Sequence, residues 1–108
     1  EDVGNVVLKD RRLLAQDGIM VIIITVDRLG FTVAKPEMIS RGFIYVKESE
    51  DLMDIVKEKI SDHMMKYEGR RIRDYTTVKQ EIKDCVGKIL YENVKRKPII
   101  LPVIIELD

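Results

Sequence analysis

Two segments of this chain are apolar on both faces, and nothing else in the sequence constrains the fold as strongly. Ile19–Val26 reads IMVIIITV and residues 99–107 read IILPVIIEL, the β-branched composition of strands. Successive side chains of a strand point to opposite faces. Val21, Ile23 and Thr25 therefore share one side of the first segment, and Ile22, Ile24 and Val26 the other. In the last segment Ile99, Leu101, Val103, Ile105 and Leu107 alternate with Ile100, Pro102, Ile104 and Glu106. A sheet of such strands needs cover on both sides.

The remaining elements supply cover for one side. Residues 27–30 (DRLG) form a turn, and residues 31–34 can return as a short hairpin strand before Lys35-Pro36 breaks it. Residues 38–46 (MISRGFIYV) read as another strand, with Gly42 marking a bulge or a close approach. A helix follows, with Ser49 as its N-cap and Leu52, Val56, Ile60, Met64 and Tyr67 as its apolar stripe, ending at Gly69. A second helix starts around Thr76 or Thr77, where Thr77 and Gln80 have capping-box spacing, and carries Val78, Ile82, Cys85, Val86 and Ile89. Asp62 with Lys66, and Asp84 with Lys88, have the spacing of i,i+4 ion pairs. Pro98 stops the helix, and Pro102 inside the last strand favours an edge position or a bulge. The expected fold is an α+β two-layer sandwich in the order β-β-β-α-α-β. It has a mainly three-stranded sheet, plus the short hairpin strand, under two helices.

At 108 residues, 45% hydrophobic and 35% charged, the chain is long enough for one layered core and too apolar for disorder. Residues 19–108 form that domain. Residues 1–18, with a short helix over 10–14 and a left-handed stop at Gly18, read as the end of a linker that leans on a neighbour. The chain opens at Glu1 and not at a methionine, so it is expected to belong to something longer. Its lone cysteine, Cys85, forms no internal disulfide, which points to the cytoplasm. No apolar run is long enough to span a membrane.

Two helices cover one sheet face. A second apolar face of about 600 Å², worth on the order of 15 kcal/mol before association costs at the usual area coefficient, calls for a partner. Ile22, Ile24, Val26, Ile100 and Ile104 are the candidate interface, although the sequence does not decide which face docks. The partner is expected to be a second copy, giving a dimer or higher assembly, or another domain. The alternative is that residues 1–18 fold over this face.

The sequence holds little chemistry. One histidine, His63, and one cysteine, Cys85, both on or beside helical stripes, fall short of the three converging ligands that catalytic zinc requires. There is no phosphate-cradling glycine loop. The carboxylates sit in first helical turns and ion-pair registers. No catalytic, cofactor-binding or metal residue is therefore assigned, and the chain is expected not to be an enzyme by itself. Three basic clusters remain: Lys9-Arg11-Arg12, Arg70-Arg71-Arg73 and Lys95-Arg96-Lys97. With 19 basic and 19 acidic residues the net charge is zero, so a dedicated nucleic-acid clamp is disfavoured. If Arg70, Arg71, Arg73, Lys95, Arg96 and Lys97 converge in space, they can contact RNA phosphates. Solvated loops and helix ends are the alternative.

Three strings carry a resemblance: DVGNVVLKDRRLLAQDGI (residues 2–19), ISRGFIYVKESE (39–50) and KRKPIILPVIIEL (95–107). In order and spacing they are similar to the C-terminal region of ribonuclease J, a family of metallo-β-lactamase/β-CASP nucleases. The resemblance implies a cytoplasmic parent that degrades and processes RNA as a 5′ exonuclease and endonuclease. It implies two zinc ions in the parent's catalytic domain, and a small C-terminal domain that supports oligomerisation, docks on the catalytic domains and is needed for full activity. The family's histidine-rich metal motif has no counterpart here, so no catalytic residue or zinc ligand is carried over. An RNA-binding module that delivers substrate to the catalytic part is the other role the resemblance allows.

Overall fold

The structure is a computed structural model, and it describes residues 18–42, 46–94 and 97–108, with the side chains of 46–50 and 94 excepted. Strand β1 (Ile19–Val26) is central, flanked by β2 (Glu37–Arg41) and β3 (Ile99–Glu106). Helices α1 (Val46–Met64) and α2 (Tyr75–Val94) lie between β2 and β3 in the chain, with a 3-10 turn, Met65–Tyr67, closing α1. The sheet is mixed: β2 runs antiparallel to β1, and β3 runs parallel to it from Ile19↔Ile99 to Val26↔Glu106. This is the expected α+β fold with its three-stranded sheet and two helices. The short hairpin strand is reduced to one bridge, Val26↔Thr32.

The core follows the helical and strand periods. Met20, Ile22, Ile24 and Val26 form the buried face of β1, at no more than 1% exposure, and Ile100 joins them from β3. They cluster with Leu52, Val56, Ile60 and Met64 of α1 and with Val78, Ile82, Val86 and Leu90 of α2. Ile72, in the loop between the helices, closes one end of that core. Cys85 is only half-buried, one step off the most buried line of α2.

Several boundaries differ from the sequence expectation, each for a local reason. β2 stops at Arg41 because Gly42 adopts a left-handed φ of 65° and turns the chain out of the sheet. It faces Gly18, whose missing Cβ would sit 2.5 Å from the Arg41 carbonyl oxygen and 2.7 Å from that of Gly42. This is the close approach expected at Gly42, and the missing Cβ of Gly18 makes it possible. α1 begins at Val46, so Ser49 lies inside its first turn and is not the cap. α2 begins at Tyr75, and its cap is Asp74: Oδ1 accepts the Thr77 amide at 3.1 Å and Oδ2 the Thr77 hydroxyl at 2.7 Å. Thr77 is thus a donor to the cap, and Gln80 donates instead to Asp84. Lys66 reaches across to Glu81 instead of back to Asp62.

Pro102 sits on an edge strand as expected, and the ladder shows why it is tolerated. The Ile99 amide donates to Gly18 O at 3.0 Å and the Leu107 amide to Val26 O at 2.8 Å. Odd-numbered amides of β3 therefore face β1, and the position lacking its N–H, Pro102, falls in the set that faces the open edge. The linker assignment for residues 1–18 lies outside the described residues except at Gly18, which has the expected left-handed φ of 82°.

Candidate functional site

Register decides which sheet face is available. Both helices pack on the face that carries Met20, Ile22, Ile24 and Val26, and Ile100 and Ile104 belong to the same side. The five candidate interface residues are therefore core or core-packed: Ile22, Ile24, Val26 and Ile100 are buried and Ile104 is half-buried against them. Among the described residues, nothing packs on the other face. Val21 pairs with Ile39 on β2 and with Leu101 on β3, and Ile19, Ile23, Val103 and Ile105 share their side. Ile39, Leu101 and Ile105 are 43%, 47% and 42% exposed. Among the described strand residues of this face, charge appears only at the margin, where Glu37 and Arg41 stand opposite Ile23 and Ile19. An apolar centre with a charged rim is the anatomy of a protein–protein contact. Strand alternation identified two apolar faces, but only the position of the helices tells them apart.

Among the described residues, the 70–73 cluster and Lys97 do not converge. The 70–73 loop is tied to the turn after β1 by a hydrogen bond from the Ile72 amide to Gly30 O at 2.9 Å, which places it at the C-terminal ends of β1 and β3. Lys97 precedes β3 at its other end, about 25 Å away at the usual rise per strand residue. Lys9, Arg11, Arg12, Lys95 and Arg96 lie outside the described residues. The loop contact does bring in a cation that the sequence clusters left out, Arg28. With Arg71 and Arg73 it lines a shallow depression of about 450 Å³ that also meets Tyr75 and Glu106, while Arg70 does not line it.

His63 belongs to a polar cluster joining the two helices. Its Nε2 lies 3.0 Å from Glu81 Oε1, Tyr67 donates its hydroxyl to the same oxygen at 2.8 Å, and Lys66 donates to Oε2 at 3.2 Å. The Tyr67 hydrogen bond, followed by those from His63 and Lys66, outweighs burial and holds the Glu81 carboxyl below the usual range. Burial and the facing carboxylate push the Tyr67 hydroxyl up to about 12. The Lys66 ammonium already neutralises Glu81, so this cluster is a structural tie and does not fit a metal. Among the described residues no group of three or more His, Cys, Asp or Glu side chains could hold a metal ion. A second depression of about 580 Å³, between the 32–36 segment and the end of α1, offers the Thr32 and Ser61 hydroxyls but no histidine or cysteine beside them. Among the described residues no helix is long and apolar enough to cross a membrane.

A helix pair on one side of a mixed three-stranded sheet, an apolar opposite side, and no described ligand set define a small two-layer α+β domain whose distinguishing features are surfaces. The sequence matches the family of the ribonuclease J C-terminal domain over residues 6–107. It is 43% identical over 107 residues to Ribonuclease J2 of Bacillus subtilis and 44% identical over 108 residues to Ribonuclease J 2 of Staphylococcus saprophyticus, each alignment covering 98% of this chain. A Staphylococcus aureus Ribonuclease J 2 is 43% identical over the same share. The chain belongs to the ribonuclease J C-terminal domain family. It spans 19% of the length of these relatives.

Proposed function

We propose that this domain is a non-catalytic part of a cytoplasmic ribonuclease J-type enzyme and that it assembles the enzyme through the open sheet face. The preferred occupant is a second copy of the chain, with the parent's catalytic domains as the other docking partner. The observation that carries the reading is the solvent-facing row of Ile39, Leu101 and Ile105 on a face that neither helix covers. An apolar patch of that kind on a folded domain marks a contact surface. RNA hydrolysis, exonucleolytic or endonucleolytic, and the two zinc ions that would support it are assigned to the parent's other domains. The names of the relatives, which are ribonucleases, support RNA as the parent's substrate.

Sedimentation velocity across a concentration series tests the assembly role. The chain should self-associate, and the double variant Leu101→Ser/Ile105→Ser should sediment as a monomer with unchanged circular dichroism. A wild-type chain that stays strictly monomeric at high concentration, and does not bind the parent's catalytic domains when they are added, would refute it. Added zinc or manganese should elicit no RNA cleavage from the chain. Cleavage that a chelator abolishes would show that catalysis resides here.

A further inference from the structure

We infer that Arg28, Arg71 and Arg73 form a contact site for the phosphate backbone of single-stranded RNA; the choice of RNA rests on the ribonuclease reading above. Three guanidinium side chains from two separate loops line one depression. They are brought together by a backbone contact and not by neighbours in the sequence: the Ile72 amide donates to Gly30 O, and a Cβ on Gly30 would lie 2.5 Å from Ile72 O and 3.4 Å from Arg71 Cγ. Only glycine, at its φ of 98°, allows the two loops to approach this closely.

Among the described residues the ion pairs are those of Glu81 with His63 and Lys66, and no hydrogen bond occupies the guanidiniums of Arg28, Arg71 or Arg73; Arg28 acts on Asp27 only through space. The flanking carboxylates accept other hydrogen bonds. Asp27 Oδ1 accepts the Leu29 and Phe31 amides at 2.8 and 3.0 Å, and Asp74 holds Thr77. Hydrogen bonding, from Phe31 foremost at Asp27 and from Thr77 at Asp74, lowers the pKa of each. Glu106 is the one carboxylate that lines the depression, against three cations. Guanidinium donors match phosphate oxygens two at a time, and Tyr75 in the same depression offers a ring on which a base can stack. An extended polyanion suits three cations spread around an open, shallow surface better than a single small anion, which needs enclosure.

Fluorescence anisotropy of a labelled single-stranded oligoribonucleotide with the full 108-residue chain tests the site. Single-strand contacts contribute about 0.7 each to the log–log salt slope, so three of them amount to about a twentyfold loss of affinity over a fourfold rise in salt. The triple variant Arg28→Ala/Arg71→Ala/Arg73→Ala should bind weakly and lose a slope of about 2. Arg70→Ala, next to the site but outside it, and Lys97→Ala, at the far end of the sheet, should lose much less. All five positions are exposed, and circular dichroism confirms that each variant is folded. Failure of the wild-type chain to bind RNA overturns the proposal. So does a triple variant with unchanged affinity and slope, or equal losses in the two controls. Displacement of RNA by millimolar inorganic phosphate, with RNA bound no more tightly than phosphate, would make this a small-anion site and overturn the RNA assignment. Sedimentation of the triple variant separates this result from the assembly role, because its self-association should match wild type.

Discussion

Tyr67 donates its hydroxyl to Glu81 Oε1 at 2.8 Å, tying the turn that closes α1 to the second turn of α2. Glu81 is ionised more readily in the fold than in the unfolded chain, and its pKa is lowered first by this bond. Its contribution is therefore complete above the ordinary carboxylate range and is lost as pH falls through the depressed value. Tyr67 has the opposite sign. Its pKa is raised to about 12, so its contribution is complete below the unfolded tyrosine value near 10 and declines as pH climbs from about 10 to about 12. Tyr67→Phe should cost about 1 kcal/mol at pH 7, the net worth of a hydrogen bond. It should also remove the alkaline decline. Urea denaturation at pH 7, 10 and 11.5 (all about) reads both effects.

The Asp74 cap gives a second acid-sensitive contact. Thr77, through its hydroxyl and amide, holds the Asp74 carboxyl below its ordinary pKa, so the cap acts at neutral pH and fails as pH drops through that lowered value. Asp74→Ala should lower the urea midpoint at pH 7 and have little effect once acid has protonated the wild-type carboxyl. Asp74→Asn should lose less than alanine at pH 7, because asparagine remains a good N-cap. Equal losses for the two variants would show that the side-chain oxygen is not the capping group.

Much of this architecture was legible in the sequence. The bounds of β1 match its apolar run, and the stripes at Leu52, Val56, Ile60 and Met64 and at Val78, Ile82 and Val86 are the core. Local chemistry was less legible where two candidates competed. Thr77 and Gln80 had the right spacing for a capping box, but Asp74 lies three residues before Thr77 and its carboxylate is the stronger acceptor. The candidate interface residues Ile22, Ile24, Val26, Ile100 and Ile104 fall on the face the helices cover, because strand periodicity reports that two faces exist without saying which one the helices occupy. A signal was present: Thr25, Glu37 and Arg41 fall on the same side once β1 and β2 are paired. That pairing is a long-range fact no single strand reveals. Arg28 escaped for the same reason, since it reaches Arg71 and Arg73 only through the Gly30–Ile72 contact.

That contact can be broken without touching a charge. Gly30→Ala places a Cβ against the Ile72 carbonyl, at a φ of 98° that side chains other than glycine rarely adopt. The backbone strain alone should cost about 1–2 kcal/mol. Hydrogen exchange at the Ile72 amide should accelerate more than at Val86, which lies in the core of α2. RNA affinity should fall with Arg28, Arg71 and Arg73 all intact. Retention of both the Ile72 protection and the RNA affinity would mean that the two loops are held together by something other than this backbone bond.

Among the described residues no strand pairs with the outer edge of β3, where Pro102 lies. The free edge presents the even-numbered positions, and the missing N–H at Pro102 interrupts what would otherwise be a continuous row of donors from Ile100 to Glu106, given the odd-numbered bonds to β1. Exposed edges with unbroken donors recruit further strands. Pro102→Val keeps the apolar volume and removes no bond to β1, so the urea midpoint should shift by less than about 1 kcal/mol equivalent. The variant should gain a salt-insensitive tendency to associate through its edge. This is separable from sheet-face assembly because it should persist in the Leu101→Ser/Ile105→Ser background. If that triple variant sediments as a monomer at every concentration, the proline is only tolerated at this edge and does not protect it.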